Sequence, residues 1–274
     1  MNLNQVFIEN IVKPYFEQGF NMPFDQSVVT AMRKVDRKDF LPKTPIGIYI
    51  IDAELRDEAM REIARLEQSD DAEKTEKVTE LWKQYTKDVH EHIFRQTAPA
   101  LVTVRDVAYM NSPISIGHGQ TCSQPSMVAY MSHCLKLSEG MHVLEIGTGC
   151  GYHAAITAEC IGAAGHLTSI EIIPELAAMA KKNLQHHFHA SFESRITLVE
   201  GNGRAGFPQN APYDCIYFTA GANGDGFIGG LSAQLKEHGK VLLPPEQGNI
   251  AIYTKTDEGF SLEQGTDVMF VPLQ

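Results

Sequence analysis

The segment HVLEIGTGCG, residues 142–151, predicts the centre of the fold. Its apolar start is typical of a buried strand, and its glycines are typical of a tight turn that opens a helix. Gly147 lets the chain turn sharply off the strand, and Gly149 lets a ligand approach the backbone closely. Gly151 lets the following helix pack tightly on the sheet. A strand, a glycine turn and a helix in this order favour an α/β fold with a ligand site at the turn.

The spacing of these glycines distinguishes between two kinds of ligand site that a glycine turn can form. The dinucleotide fingerprint GxGxxG would place its third glycine at position 152, which is Tyr152. GxGxG with Glu145 two residues earlier is the spacing of nucleoside-sulfonium sites, and an acidic residue near the loop suits the cationic groups of S-adenosylmethionine. Glu171, at the end of the next predicted strand, can accept hydrogen bonds from both ribose hydroxyls. A class I methyltransferase is favoured over an NAD-binding protein and over a glycine turn that merely packs.

Strands and helices alternate from about residue 140 onward. Apolar runs predict strands at residues 142–146, 166–171, 195–199, 214–219 and 240–243. Helices are predicted at about 151–162 and 174–187, and an antiparallel finish at 250–254 and 268–271. This alternation predicts a Rossmann-like, doubly wound α/β fold with a mostly parallel sheet, whose ligands lie beyond the C-terminal ends of the strands.

Changes in composition divide the chain into three predicted regions. Residues 1–45 carry short helical patterns, with Asp25 as a candidate N-cap. Residues 46–104 form an insertion, and residues 105–274 form the α/β catalytic domain. Within the insertion, apolar steps of three and four over 52–96 predict a helical hairpin. This hairpin could be a structural insertion without chemistry. Alternatively, it could be a lid or a specificity element, or a surface that binds a partner or a second copy of the chain.

Composition excludes several classes of protein. Acidic residues outnumber basic ones by 34 to 23, and no basic stripe is present, so nucleic acid is not an expected partner. The start of the chain lacks a signal-peptide pattern, and no segment approaches the roughly 20 apolar residues of a membrane span. The five cysteines have no CxxC spacing, which favours reduced thiols in a cytoplasmic protein. The histidines lack HExxH spacing, so no metal site is expected.

Three further segments carry a resemblance to a known family. They are MNSPISIGHGQTCSQP at 110–125, GNGRAGFP at 201–208, and QLK at 234–236 followed by LP at 243–244. Together with the glycine loop they resemble protein-L-isoaspartate O-methyltransferases, and the Thr-x-Ser-Gln-Pro block at 121–125 is the most specific part. Segments within 31–42 and 270–273 fit the family's opening and closing elements, so the resemblance covers most of the chain except about 43–104.

The resemblance implies an activity and a mechanism. The family methylates the free carboxylate of L-isoaspartyl residues, and of some D-aspartyl residues, in damaged proteins and peptides. S-adenosyl-L-methionine is the donor and S-adenosyl-L-homocysteine the product, and the ester closes spontaneously to a succinimide whose hydrolysis partly restores aspartate. A carboxyl group with a pKa of about 4 is already ionised at neutral pH, so attack on the methyl group needs no general base. Catalysis is expected to come mainly from in-line positioning.

The same resemblance implies roles for individual residues. Ser123 is the expected orienting hydroxyl of the catalytic loop, and Thr121 is expected to fix that loop. Substrate contacts are expected from the surrounding residues Ile116, Cys122, Gln124 and Pro125. Donor contacts are expected from Glu145, Gly147, Thr148, Gly149, Gly151, Glu171, Asn202, Gly203 and Thr219.

Three positions depart from the family pattern. Asn111 stands where the family has an acidic residue, Cys122 where it has isoleucine, and Asn202 where it has aspartate. Cys122 is expected to be a buried, inert thiol. The departures keep two alternatives open: a carboxyl methyltransferase retargeted to aspartate in a dedicated peptide or partner protein, recognised by 52–96, and a donor-binding relative that has lost turnover.

Overall fold

The computed structural model describes residues 3–42, 77, 108–222 and 226–274. Lys77 apart, the predicted insertion at 46–104 and its hairpin at 52–96 lie outside the described residues. The described strands are β1 (Ile114–Gly117), β2 (Gln120–Cys122), β3 (His142–Ile146), β4 (His166–Glu171), β5 (Ile196–Glu200), β6 (Tyr213–Phe218), β7 (Leu235–Leu243), β8 (Gln247–Thr256) and β9 (Gly259–Met269).

Helices flank the sheet and precede it. They are α1 (Leu3–Phe7), a π-helical turn (Ile8–Val12), α2 (Lys13–Phe20), α3 (Gln26–Lys34), α4 (Arg37–Phe40), α5 (Pro125–Leu135), α6 (Tyr152–Ile161), α7 (Pro174–Phe188), α8 (Phe192–Arg195) and α9 (Ile228–Leu231). The Asp25 carboxylate accepts a hydrogen bond from the backbone N–H of Ser27 at 2.8 Å, which confirms the predicted N-cap of α3. Across these ranges, no helix has both the length and the apolar character needed to cross a membrane.

The main sheet has the strand order β5-β4-β3-β6-β7-β8-β9. Neighbours from β5 to β7 are parallel, and β8 and β9 are added antiparallel. The predicted mostly parallel sheet with an antiparallel finish is therefore confirmed. The chain builds β4 and β5 on one side of β3 and then β6 on the other, so the strand order reverses between β3 and β6. Ligands of open α/β sheets bind at such a reversal, beyond the carboxyl ends of the strands.

Three strands are longer than predicted. β8 spans Gln247–Thr256 rather than 250–254. β7 begins at Leu235 rather than residue 240, and its first part carries exposed polar residues. The last strand spans Gly259–Met269 rather than 268–271. It lies at the edge of the sheet, where backbone pairing with β8 holds the strand in place although most of its side chains are exposed. An edge strand of this kind lacks the apolar pattern from which the prediction was made.

Side chains of β3 alternate between two apolar cores. Leu144 and Ile146 belong to the cluster that includes Ile216 and Phe218, whereas Val143 belongs to the other cluster. Successive side chains of a strand point to opposite faces, so Glu145 lies on the same face as Val143. This alternation places the Glu145 carboxyl within the protein interior, below the glycine loop rather than in it.

Candidate functional site

The glycine loop leaves β3 in a conformation that glycine favours. Gly147, Gly149 and Gly151 have φ angles of +100°, +57° and +87°. A side chain at Gly147 would collide with the hydroxyl of Thr219, and a Cβ at Gly151 would lie 3.1 Å from a carbon of Leu184 in α7. The loop therefore closes against the end of β6 on one side and allows α6 to pack on α7 on the other.

Glu171 presents its carboxylate at the end of β4. One oxygen accepts a hydrogen bond from the backbone N–H of Gly149 at 2.7 Å, and the other accepts from the N–H of Ile173 at 3.0 Å. Each carboxylate oxygen has a second lone pair, so acceptor capacity remains for a ligand. Glu171 lines the cleft described below and is joined directly to the glycine loop.

Glu145 differs from Glu171 in both location and charge. Its side chain is fully buried and accepts hydrogen bonds from the Tyr217 hydroxyl at 2.8 Å and from the Ser169 hydroxyl. Burial raises the pKa of Glu145 to about 8, and the charge of Glu171 adds to that rise, although the two hydroxyl groups oppose it. The carboxyl is therefore mainly protonated at neutral pH. Burial and the raised pKa oppose the negative charge that the sequence predicted at position 145, and a contact between Glu145 and the donor stays a prediction.

A cleft lies beyond the carboxyl ends of β3, β4 and β6. It encloses about 790 Å³, including the open space at its mouth. The structure brings nine of the sequence-predicted residues together there: Thr121, Cys122, Ser123, Gly147, Thr148, Gly149, Glu171, Gly203 and Thr219. The reaction loop, which we define as residues 108–123, and the glycine loop thus contribute to one cavity.

Six predicted residues lie outside the lining of this cleft. Glu145 is held below the loop, and Gly151 packs against α7. Ile116 is buried, with its terminal carbon 3.5 Å from the position of a Cβ built on Gly149. Pro125 is the buried first residue of α5. These four positions support the cavity walls from behind.

Asn202 and Gln124 are the other two. Asn202 is exposed, and its side-chain oxygen accepts from the backbone N–H of Arg204 at 2.9 Å. Gln124 donates from its side-chain nitrogen to the hydroxyl of Ser126 at 2.8 Å. Its side chain lines a neighbouring groove instead of the cleft.

The neighbouring groove shares a wall with the cleft. It runs between α2, the start of α5 and the end of β9, and Thr121, Ser123, Thr219 and Val271 line both spaces. Ser123 thus lies at the boundary between two cavities. This arrangement lets one bound molecule meet another across the reaction loop.

Sequence reasoning missed the last residues of the chain as a wall of the cleft. Residues 271–274 line it. They are held by a hydrogen bond from the backbone N–H of Gly221 to the carbonyl of Val271 at 2.7 Å, and by one from the N–H of Leu273 to the carbonyl of Gly221 at 2.8 Å. The family-like sequence at 270–273 was the available signal.

His153 is a second residue that the sequence reasoning missed. It lines the cleft near the start of α6, and burial lowers the pKa of its imidazole to about 3. One ring nitrogen lies 3.3 Å from the hydroxyl of Ser132. The ring is therefore neutral at pH 7 and adds no positive charge to the cleft.

Two cysteine side chains connect the reaction loop to the glycine loop. Cys122 and Cys150 are buried, line the cleft and are hydrogen-bonded to each other. The hydrogen bond from Cys150 lowers the pKa of the Cys122 thiol, and Arg37 contributes to the same effect. The predicted burial of Cys122 is confirmed, and its inertness stays a prediction.

Metal binding depends on how His, Cys, Asp and Glu side chains are grouped in space. Within the ranges that the structure describes, no group of three or more His, Cys, Asp or Glu side chains is arranged to hold a metal ion. His187 instead lies 3.4 Å from a carboxylate oxygen of Glu159 and links α7 to α6.

The strand order, the glycine loop and the carboxylate at the end of β4 define a class I S-adenosylmethionine-dependent methyltransferase. The family model described as Protein-L-isoaspartate(D-aspartate) O-methyltransferase matches residues 72–274. The chain belongs to this family.

Similar curated proteins bear the same description. Protein-L-isoaspartate O-methyltransferase 1 of Archaeoglobus fulgidus is 45% identical over 170 residues, covering 62% of this chain and 76% of the relative. Protein-L-isoaspartate O-methyltransferase 2 of the same organism is 39% identical over 210 residues, covering 74% of this chain and 93% of the relative. The corresponding protein of Methanothrix thermoacetophila is 41% identical over 172 residues, covering 62% and 79%.

Solved structures support the fold. A structure described as protein-L-isoaspartate O-methyltransferase superposes with a TM-score of 0.66 at 21% identity, covering 99% of this chain and 66% of the other. A Plasmodium falciparum structure with the same description, in complex with S-adenosyl-L-homocysteine, gives a TM-score of 0.64 at 18% identity, covering 100% and 99%.

Proposed function

We propose that this chain transfers a methyl group from S-adenosyl-L-methionine to the free carboxylate of L-isoaspartyl and D-aspartyl residues in proteins and peptides. The observation that carries the proposal is the shared wall between the donor cleft and the open groove. Ser123, from the block that resembles the family most specifically, belongs to that wall. A donor on one side and a carboxylate on the other would meet at this residue.

The cleft has features that suit the donor. Gly149 and Gly201 leave space that a side chain would otherwise narrow, and Glu171 offers a carboxylate for the ribose hydroxyls. Ile172 follows Glu171 with 38% of its surface exposed, which leaves an apolar face available to an adenine ring. When bound, S-adenosyl-L-methionine supplies an electrophilic methyl group, and S-adenosyl-L-homocysteine is the product.

The acceptor side needs positioning more than proton transfer. A substrate carboxylate is ionised at neutral pH and attacks without a base. The neutral Glu145 and His153 fit this requirement, since neither places an additional charge beside the reacting groups. Ser123 would orient the carboxylate by donating a hydrogen bond, and Thr121 would hold the loop. Correct alignment can supply on the order of 7–11 kcal/mol of the barrier reduction.

A labelled-donor assay tests the proposal. The protein is incubated with S-adenosylmethionine carrying a labelled methyl group and with either an isoaspartyl peptide or its aspartyl twin. We expect base-labile label on the isoaspartyl peptide and none on the twin. Label on the aspartyl peptide alone would contradict the proposed substrate, and no label on either peptide would contradict the activity.

We also propose the domain division given above, with 46–104 as an accessory insertion in the catalytic domain. The family match begins at residue 72, inside that insertion. Deletion of residues 52–96 should leave methylation of a short isoaspartyl peptide intact, and loss of that activity in a folded variant would contradict an accessory role. Self-association through 52–96 would be seen as a lower oligomeric mass of the deletion variant. A cytoplasmic location is supported by the five free cysteines.

A further inference from the structure

The residue with the most unusual environment outside the assigned site is Arg37. It is the first residue of α4, and its side chain is completely buried. Its guanidinium donates to five backbone carbonyl oxygens, at 2.8 to 3.2 Å, in Ala108, Met110, Ser112, Cys122 and Ser123. All five carbonyls belong to the reaction loop.

These five contacts bind both ends of the loop to one group. Three acceptors precede β1, the fourth belongs to Cys122, the last residue of β2, and the fifth belongs to Ser123, which follows β2. The hairpin of β1 and β2 therefore leaves from and returns to the same guanidinium. Between these ends, a terminal carbon of Ile116 lies 3.5 Å from the position of a Cβ built on Gly149, and at the second end Cys122 interacts with Cys150. The position of Arg37 thus sets how the reaction loop lies over the donor cleft.

The chemistry of the acceptors also bears on function. A buried charge is costly unless its hydrogen-bonding groups are satisfied. Here carbonyl oxygens, not a carboxylate, accept from the two terminal nitrogens, while Nε has no partner among the described residues. Within the residues that the structure describes, the hydrogen-bond acceptors of the guanidinium are neutral carbonyl groups, so its positive charge favours an anion in the adjoining cavity.

The direction of two carbonyl groups strengthens this effect. Cys122 and Ser123 point their carbonyl oxygens at Arg37. A carbonyl oxygen that faced the cavity would repel an incoming carboxylate. With both oxygens held away, the loop can present the Ser123 hydroxyl to the acceptor.

We propose that Arg37 is a positioning residue for the acceptor carboxylate: it fixes both ends of the reaction loop, turns the carbonyls of Cys122 and Ser123 away from the substrate, and places a positive charge behind Ser123. This proposal rests on the proposed function. It assigns to a residue of the N-terminal helical part a role in binding the acceptor rather than the donor.

Two substitutions at Arg37 test the proposal. Arg37→Lys keeps the charge but has three donors in place of five, and Arg37→Met keeps similar volume without charge. Arg33→Met is the matched control, because Arg33 lies four residues earlier in the chain and pairs with Glu9 at the surface. Each variant is assayed for kcat and KM with an isoaspartyl peptide, for S-adenosyl-L-homocysteine affinity by calorimetry, and for amide hydrogen exchange.

Arg37→Met should lower kcat/KM for the peptide by about 100-fold, since small misplacement of a reacting group has effects of that size. Arg37→Lys should recover part of this loss. The Kd for S-adenosyl-L-homocysteine should stay within about threefold, and faster exchange should be confined to residues 108–123. Arg33→Met should have the same kcat/KM, the same Kd for S-adenosyl-L-homocysteine and the same hydrogen exchange as the wild type.

Four results would overturn the proposal: unchanged kcat/KM, equal losses of donor and peptide binding, unchanged exchange in the reaction loop, or failure of both Arg37 variants to fold. The last result would assign Arg37 to the stability of the whole fold. A wild-type protein without methyl transfer would contradict the proposed function instead, and the exchange measurement would still decide whether Arg37 positions the loop.

Discussion

The donor side and the acceptor side of the site are built in different ways. On the donor side, the glycine loop and Glu171 lie at the ends of adjacent strands, and the Glu171 carboxylate bonds to Gly149 only 22 residues away. On the acceptor side, Ser123 lies in a loop whose ends are held by Arg37, 71 to 86 residues away in the sequence. Contacts between residues of adjacent strands therefore fix the donor side, whereas one cluster of long-range hydrogen bonds fixes the acceptor side.

This difference predicts separable effects of substitution. A change on the donor side should act on donor affinity, and a change on the acceptor side should act on turnover with the peptide. The two carboxyl groups on the donor side sharpen the distinction, because only Glu171 lines the cleft whereas Glu145 is buried and mainly neutral.

Glu171→Ala should weaken binding of S-adenosyl-L-homocysteine by about 100-fold, because two hydrogen bonds to a charged group are each worth roughly 1.5 kcal/mol. Isothermal titration calorimetry measures the dissociation constant. A dissociation constant equal to that of the wild type would remove Glu171 from the donor site.

Ser123→Ala should lower kcat with the isoaspartyl peptide by about 10-fold, because one hydrogen bond to the substrate carboxylate is lost. Donor affinity should change by less than about threefold. Ser115→Ala is the control, since Ser115 is an exposed residue of the same hairpin. Equal turnover in Ser123→Ala and Ser115→Ala would contradict the role of Ser123.

Glu145→Gln should change donor affinity by at most about threefold, because glutamine, like the protonated carboxyl, is neutral and hydrogen-bonding. Its effect on stability should depend on pH. The folded-state pKa of Glu145 is raised to about 8 from an ordinary 4.5. The contribution of Glu145 to the stability of the wild type is therefore fully present below pH 4.5 and is lost as the pH rises through about 8. Urea denaturation should show that the free energy of unfolding of Glu145→Gln rises relative to that of the wild type as the pH increases from 4.5 to about 8. A difference that does not vary with pH would contradict the raised pKa.

Asn202→Asp should change donor affinity by less than about twofold, even though it restores the family's acidic residue. The side chain is exposed and already accepts from Arg204, and charges at the surface contribute little. Calorimetry on this variant beside Glu171→Ala gives the comparison. An affinity gain near 10-fold would show that position 202 contacts the donor.

The sequence predicted the features that depend on neighbouring residues. The parallel strands, the Asp25 cap and the glycine loop follow from short patterns, and each is confirmed in the described residues. The last strand was misplaced because edge pairing, not apolar pattern, forms it. Glu145 was placed in the predicted strand at 142–146 and interpreted as an acidic residue near the glycine loop, although the two-residue period of β3 could have assigned it to the interior face.

Arg37 shows what short patterns miss. Its resemblance to the family's opening helix was visible, but its five acceptors come from a segment about 70 or more residues later. Only folding brings them together. Likewise, nothing in the sequence around His153 distinguishes a neutral buried imidazole from an exposed one, because its low pKa follows from burial between α5 and β6.

The most direct measurement is a calorimetric titration of the wild type with S-adenosyl-L-homocysteine, repeated with Glu171→Ala and Ser123→Ala. We expect saturable binding of one ligand per chain to the wild type, nearly equal binding to Ser123→Ala, and strongly weakened binding to Glu171→Ala. Absence of saturable binding to the folded wild type, or equal affinity in all three proteins, would contradict a donor site between the glycine loop and the end of β4.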